Sequence, residues 1–200
     1  MTDSFNAFGS AEEAERARLN YDRKYKDLEP EYSVDYIRDW VRRYTSLMDY
    51  AGGTLLDAGC GIGDWSVGFA REFDVTGVDI SGVAIERAQA RSSSINFIKG
   101  DVFNLSGSYD VVFCRGLSVF NRPPKNSIFR EALSNLLNLT AKLFVYCVWT
   151  EEPYGERYKK GDGSHGLYKH DPEAITALFE SYGDARVRVA NNYLIGEIRW

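Results

Sequence analysis

The chain has few of the residues that mark a disulfide-rich, metal-binding or membrane protein. Its 200 residues include three cysteines and two histidines with no CxxC or similar ligand spacing, so we expect reduced thiols and no metal site. Apolar runs such as Leu143 to Trp149 are far shorter than the roughly 20 residues that cross a bilayer. Residues 1–15 lack the apolar core of a signal peptide. These absences predict a cytoplasmic protein with no membrane partner.

Negatively charged residues outnumber positively charged ones. The sequence has 24 Lys and Arg residues against 29 Asp and Glu residues, a formal net charge of -5. Such a chain would repel a polyanion as a whole, although a local basic patch at Arg157, Lys159 and Lys160 could still attract one. We therefore expect a small-molecule substrate rather than a nucleic acid.

Length and hydropathy patterning predict a single domain over residues 1–200. A chain of this length with 44% hydrophobic residues can bury one sizeable core. The first clear element is an amphipathic helix over residues 33–50, in which Ser33 is placed to cap the amino end and apolar residues fall on one helical stripe.

From Gly53 onward, short apolar runs alternate with helical segments, which is typical of βαβ units and of a parallel sheet covered on both faces. The predicted strands are Thr54–Ala58, Val75–Asp79, Ile95–Lys99, Tyr109–Cys114 and Leu143–Trp149. The predicted helices between them are Asp64–Glu72, Gly82–Arg91 and Ser127–Leu139.

The end of the chain follows a different pattern. A helix is predicted to begin at Asp171 and Pro172, and two short strands follow with only Asn191 and Asn192 between them, which indicates an antiparallel β-hairpin. The fold class is therefore α/β, with a doubly wound, mostly parallel sheet, a C-terminal antiparallel hairpin and helices on both faces. Residues 151–170 form a long irregular segment, and the sequence is consistent with either a functional lid or simple disorder there.

A glycine-rich turn follows the first predicted strand. Gly59, Gly61 and Gly63 lie between Asp57 at the strand end and the start of a helix, where open α/β sheets bind their ligands. The dinucleotide fingerprint needs its third glycine at position 64, but the sequence has Asp64 there, and a carboxylate would repel a pyrophosphate. A dinucleotide is therefore disfavoured.

Two more acidic residues end the next two predicted strands. Asp79 is placed to accept from both hydroxyls of a ribose, and Asp101 from an exocyclic adenine amine. Carboxylates at three successive strand ends suit an adenosine that carries a positive charge and no phosphate, which describes S-adenosylmethionine (SAM). By contrast, Asp110 begins its strand, and we expect it to be structural.

These residues resemble the motifs of the class I SAM-dependent methyltransferase family. Leu55 to Trp65 is similar to the first motif, Val78 to Ser81 to the second, Gly100 to Phe103 to the third, and Tyr109 to Leu117 to the fourth. The resemblance implies a Rossmann-like sheet of seven strands with the last antiparallel, SAM as cofactor and S-adenosylhomocysteine (SAH) as product. It also implies an N-terminal helical lid or cap (1–50), a SAM-binding core (51–150) and a region with the substrate loop, a helix and the hairpin (151–200).

The resemblance also assigns roles to residues. Gly59, Cys60 and Gly61 would line the methionine part, Asp79 the ribose, and Asp101 and Val102 the adenine, while residues 114–116 would close the site under the sulfonium. Tyrosines of the N-terminal segment would cover the cofactor, although packing on a half-buried face explains them equally well. The full set of expected cofactor-binding residues is Tyr25, Asp57, Gly59, Cys60, Gly61, Trp65, Asp79, Ile80, Asp101, Val102, Phe103, Cys114, Arg115 and Gly116.

The catalytic residues are less well specified. His165 and Tyr154 lie in the long loop where the family often places substrate contacts, and a histidine can take a proton at neutral pH, although a solvated loop histidine is the simpler interpretation. The principal hypothesis is methyl transfer to an O, N or S atom of a small molecule. The alternatives are a non-catalytic SAM-binding regulatory or scaffold module and, less favoured, a nucleotide-cofactor oxidoreductase.

Overall fold

A seven-stranded sheet forms the centre of the molecule in the computed structural model, which describes residues 10–149, 170–190 and 193–200. The strands are β1 (Thr54–Ala58), β2 (Asp74–Asp79), β3 (Asn96–Lys99), β4 (Tyr109–Arg115), β5 (Thr140–Trp149), β6 (Asp184–Ala190) and β7 (Tyr193–Arg199). The helices are α1 (Ala11–Lys26), α2 (Val34–Tyr44), α3 (Asp64–Phe69), α4 (Gly82–Arg91), α5 (Ser127–Asn138) and α6 (Pro172–Glu180). Short 3-10 turns span Leu47–Tyr50, Val102–Asn104 and Ser118–Phe120.

The strand order is β3-β2-β1-β4-β5-β7-β6. Neighbouring strands from β3 to β5 are parallel, whereas β7 is antiparallel to both β5 and β6. The predicted mixed sheet with a terminal hairpin is therefore confirmed. The connections reverse direction between β1 and β4, and such a switch point opens a crevice at the carboxyl ends of the strands.

Helices cover both faces of the sheet, as predicted. One buried cluster joins α5 and α6 to the sheet, for example through Phe129 and Phe179, and the other joins α2, α3 and α4 to the opposite face, for example through Ile37, Phe69 and Ile85. Within the described ranges, no helix combines the length and the apolar character that a membrane span requires.

Local capping explains where most helices begin. Ser33 accepts from the Tyr36 amide, as predicted, and Asp171 accepts from the Glu173 amide ahead of a helix with proline in its first turn. The predicted helix over 33–50 is too long, because α2 ends at Tyr44 and a separate 3-10 turn follows. Likewise α3 ends at Phe69 rather than at position 72.

Two acidic residues connect strands of the sheet to each other and to a neighbouring segment. Asp110 accepts from the Thr54 amide at 2.9 Å and pairs with Lys142 at 2.8 Å, which confirms its predicted structural role. Glu197 of β7 is fully buried and accepts from the Ser46 hydroxyl at 3.0 Å. Arg188 and Arg199 approach the same carboxylate at 3.3 and 3.5 Å, a set of interactions that joins the hairpin to the segment after α2.

We predict that Glu197→Ala lowers the free energy of unfolding by about 3 kcal/mol, because it leaves two half-buried guanidinium groups without their shared carboxylate. Urea denaturation would measure the loss. Glu180→Ala, which truncates an exposed glutamate at the end of α6, is the matched control and should cost less than about 0.5 kcal/mol. Equal effects of the two substitutions would contradict a stabilising role for the Glu197 cluster.

Candidate functional site

The carboxyl ends of β1 to β4 bring four charged side chains to one edge of the sheet. Asp57 lies in β1, Asp79 ends β2, Asp101 follows β3 and Arg115 ends β4. The three carboxylates that the sequence places at successive strand ends therefore do share one edge. Burial raises the pKa of Asp57, and of the neighbouring charges Arg115 lowers it and Asp79 raises it.

The turn after β1 depends on its glycines. Gly59, Gly61 and Gly63 have φ values of 78°, 55° and 80°, a region that disfavours residues with a Cβ atom. The amides of Gly59 and Cys60 donate to the Val78 carbonyl at 2.8 and 3.0 Å. These hydrogen bonds anchor the turn on β2.

Side chains from other parts of the protein pack against two of these glycines. A Cβ atom on Gly61 would lie 3.2 Å from the Tyr25 ring, and one on Gly59 would overlap Leu117. Cys60, between them, is buried with 8% exposure, and burial raises the pKa of its thiol. Tyr25, Gly59, Cys60 and Gly61, all predicted cofactor residues, thus lie together.

Asp79 connects the two strand-to-helix turns. Its Oδ2 accepts from the Gly61 amide and its Oδ1 from the Ser81 amide, both at 2.9 Å. Burial raises the pKa of this carboxyl, while the two amides and the charge of Lys24 lower it. Ile80 follows, half-buried, and completes the second predicted motif.

Asp57 is buried beneath the same turn. Its carboxylate accepts from the Ser66 hydroxyl at 2.6 Å, and burial raises its pKa to about 7, although that hydrogen bond and the charge of Arg115 act in the opposite direction. An ionised Asp57 is costly in this environment and would gain from a cationic ligand.

The Asp64 side chain has a different role from the one that its position suggests. It forms an ion pair with Arg91 and accepts from the Glu31 amide at 3.1 Å. Because Arg91 compensates its charge, repulsion of a pyrophosphate by Asp64 is weaker than the sequence indicates.

The third predicted motif is divided between surface and core. Asp101 is half-buried and caps a 3-10 turn by accepting from the Phe103 amide at 3.0 Å, and burial raises its pKa. Val102 packs within the core and Phe103 lies partly buried against it. Asp101 is therefore the polar group that this motif presents at the edge.

The end of β4 combines a guanidinium with aromatic rings. Arg115 donates to the Tyr193 hydroxyl at 2.7 Å and to the Tyr32 hydroxyl at 3.3 Å. Its guanidinium carbon lies 4.9 Å from the Trp65 ring centroid and 5.3–5.4 Å from those of the two tyrosines. Its neighbours differ in exposure, since Cys114 is fully buried and Gly116 is exposed.

Helix α1 lies over this edge and is held at two points. Asp22 accepts from the Ser81 hydroxyl at 2.6 Å, at the start of α4, and Arg87 of α4 donates to the Tyr25 carbonyl at 2.6 Å. Tyr21, stacked on Tyr25 with ring centroids 6.1 Å apart, interacts with Ser118 after β4. Sequence periodicity does not predict α1, because the helix is charged along most of its length.

Most of the long loop predicted to carry catalysis, including Tyr154, His165 and the basic patch within it, lies outside the described residues. His170 is described and is 3% exposed. Its Nε2–H donates to the Phe120 carbonyl at 2.9 Å, and the Tyr146 hydroxyl lies 3.3 Å from the same nitrogen. His170 thereby joins the chain before α6 to the turn after β4.

Comparisons with known proteins agree with this architecture. A family model described as a methyltransferase domain matches residues 55–138. Demethylmenaquinone methyltransferase of Staphylococcus aureus (strain JH9) is 30% identical over 153 residues, which cover 71% of this chain and 62% of that protein. The chain thus spans about three fifths of the length of the curated relatives that it matches.

Two solved structures show the same fold. Magnesium protoporphyrin IX methyltransferase from Synechocystis PCC 6803 with bound SAH has a TM-score of 0.64 and 19% identity, covering 92% of this chain and 97% of that one. The plantazolicin methyltransferase BpumL, in complex with a monoazolic desmethylPZN analogue and SAH, has a TM-score of 0.61 and 16% identity, covering 92% and 90%.

The burial of His170 predicts a pH dependence of stability. Burial lowers the pKa of His170 below its ordinary value of 6.5, although the Phe120 carbonyl opposes the shift. The neutral ring therefore stabilises the fold above about pH 6.5, and this contribution is lost as the pH falls through the lower pKa of the folded state.

We predict that His170→Gln is less stable than the unsubstituted protein at about pH 7.5 and that the difference narrows at about pH 5.5. Urea unfolding of both proteins at the two pH values gives the measurement, and comparing the two differences cancels the titration of all other groups. A difference that widens on acidification would show that His170 is not held neutral.

Proposed function

We propose that this chain, which belongs to the class I SAM-dependent methyltransferase family, transfers the methyl group of SAM to an oxygen, nitrogen or sulfur atom of a small molecule. The observation that carries the proposal is the pair of hydrogen bonds from the Gly61 and Ser81 amides to Asp79. They hold a carboxylate beside the glycine turn.

The residues at this edge fit SAM. The methionine part would lie along Gly59 and Gly61, whose lack of Cβ atoms allows a close approach once Tyr25 and Leu117 move aside, and Asp79 would accept from the ribose hydroxyls. Asp101 would accept from the adenine amine. A positively charged ligand would also balance the carboxylates of Asp57 and Asp79, both of which are destabilised by burial in their charged form.

Helix α1 would act as a cover for the cofactor. Tyr25 and Leu117 lie against the glycine faces that the methionine part would contact, so both side chains would have to move when SAM binds. The hydrogen bonds from Ser81 to Asp22 and from Arg87 to the Tyr25 carbonyl would keep α1 attached to α4. A closed cover would exclude water from the reacting atoms.

Bound SAM supplies a methyl group activated by a positive sulfur. The protein's contribution would be to hold the acceptor in line with that methyl group, and such positioning can remove roughly 7 to 11 kcal/mol of the barrier. A general base is therefore not essential. His165 and Tyr154 remain our candidates for a base or a positioning group where the acceptor has a proton to lose.

The acceptor is proposed to be a small organic molecule. The name of one relative, demethylmenaquinone methyltransferase, supports this class. The net charge of -5 also disfavours a nucleic acid.

Incubation of the protein with methyl-labelled SAM and a pool of small metabolites tests the activity. We expect label in at least one metabolite, together with SAH formation. Binding of SAM without transfer to any pool would favour a non-catalytic SAM-binding module. Calorimetry that showed NAD binding and no SAM binding would contradict the proposal itself.

We predict that Asp79→Asn weakens SAM binding roughly tenfold or more, because the amide loses charge-assisted hydrogen bonds to the ribose. Isothermal titration calorimetry gives the affinity, and circular dichroism verifies the fold. Asp74→Asn is the matched control, since Asp74 is exposed at the opposite end of the same strand. Unchanged affinity in Asp79→Asn would refute the ribose assignment.

A further inference from the structure

We propose that helix α1 is a strap across the carboxyl ends of β2, β1 and β4, which stays attached to α4 and opens at its contact with the turn after β4 when the cofactor is exchanged. This inference rests on the proposed methyl transfer and concerns access to the same site. It goes beyond a general cover, because it assigns a fixed side and an opening side to the helix.

Helix α1 contacts the ends of three neighbouring strands. Asp22 contacts the start of α4, which follows β2. Tyr25 lies against Gly61 in the turn after β1, and Tyr21 forms a side-chain hydrogen bond with Ser118 after β4. Because β2, β1 and β4 are consecutive in the sheet, the helix crosses the switch point between β1 and β4, where such sheets bind their ligands.

The attachment to α4 consists of several hydrogen bonds that involve charged groups. Asp22 Oδ1 accepts from the Ser81 hydroxyl at 2.6 Å and from the Val83 amide at 3.3 Å, at the positively polarised amino end of α4. Arg87 donates to two carbonyls in the last turn of α1, at 2.6 and 3.1 Å. Bonds to charged groups of this kind are roughly twice as strong as bonds between neutral groups.

The polar contact on the other side of the helix joins two uncharged side chains. Tyr21 and Ser118 share one hydrogen bond, and burial raises the pKa of the Tyr21 phenol, so it stays neutral. This contact lacks the charge assistance of the bonds to α4. The helix should therefore detach more readily from the turn after β4 than from α4.

The two side chains that lie against the glycine turn flank this same contact. Leu117 directly precedes Ser118, and Tyr25 stacks on Tyr21 with ring centroids 6.1 Å apart. Opening between α1 and the turn after β4 would therefore move Tyr25 and Leu117 apart and uncover the glycine turn. Opening on the α4 side would leave both side chains over it.

The fixed side preserves the ribose site. Ser81 donates to Asp22 through its hydroxyl and to Asp79 through its amide, the latter at 2.9 Å. One residue thus holds both the helix and the carboxylate that is proposed to bind the ribose. When α1 turns about α4, Asp79 can keep its place while the methionine part of the site is uncovered.

Cross-linking each side of the helix tests the proposal. Tyr21→Cys with Ser118→Cys allows α1 to be joined to the turn after β4, and Lys26→Cys with Arg87→Cys allows it to be joined to α4. The same short bismaleimide bridges each pair in ligand-free protein, and mass spectrometry verifies the link. The three native cysteines are buried, so the introduced pairs should react first.

We expect the link to the turn after β4 to slow the binding of labelled SAH about tenfold or more relative to the same variant without the link, because the glycine turn can no longer be uncovered. The link to α4 should leave the binding rate nearly unchanged. The reverse pattern, or arrest of binding by both links, would overturn the proposal. Binding rates that neither link changes would overturn it as well.

A single substitution gives an independent measurement. Tyr21→Phe removes the hydroxyl that bonds to Ser118 but keeps the stacked ring, so we expect SAH to associate and dissociate about threefold to tenfold faster. Stopped-flow tryptophan fluorescence measures both rates. Tyr182→Phe is the matched control, since Tyr182 is half-buried just after α6. Unchanged rates in Tyr21→Phe would contradict an opening at this contact.

The outcomes separate this inference from the proposed function. Failure of the unsubstituted protein to bind either SAM or SAH would refute the proposed function, and this inference with it. Binding of SAH at rates that the links and Tyr21→Phe leave unchanged would refute the strap alone.

Discussion

The carboxylate of Asp79 is the group on which the arrangement of the site depends. It accepts from the amide of Gly61 in one strand-to-helix turn and from that of Ser81 in the next, so two turns that are separate in sequence keep a fixed distance. Ser81 in turn donates to Asp22, which extends the same set of bonds to α1. Because Asp79 is buried, each hydrogen bond to its carboxylate contributes to stability, and an unsatisfied carboxylate at this depth would be strongly destabilising.

Much of the fold could be predicted from the sequence, because its signals are local. Thr54–Ala58 is predicted with the bounds that β1 has, since glycines mark both of its ends, and Ser33 and Asp171 cap helices as their side chains require. The glycine turn and the acidic strand ends are equally local. They identify a cofactor edge without any knowledge of how the helices pack.

Features that depend on long-range contacts could not be predicted. Helix α1 is stabilised by Arg87 and by its contact with α4, more than 60 positions away in places, and its own composition is polar. A linear motif does not reveal that Arg91 compensates the negative charge of Asp64. The surroundings of Arg115 come from three distant parts of the chain, and only Trp65 of these belongs to a recognisable motif.

The position of β7 between β5 and β6 has a consequence for biosynthesis. β7 is synthesised after β6 but lies between β5 and β6 in the sheet. The edge of β5 therefore stays unpaired until residues 193–199 have left the ribosome. Every backbone group on that edge can meanwhile pair with another chain. The parallel half of the sheet can form during translation, but closure of the antiparallel half waits for the last strand, and until then the nascent chain would be exposed to misassembly.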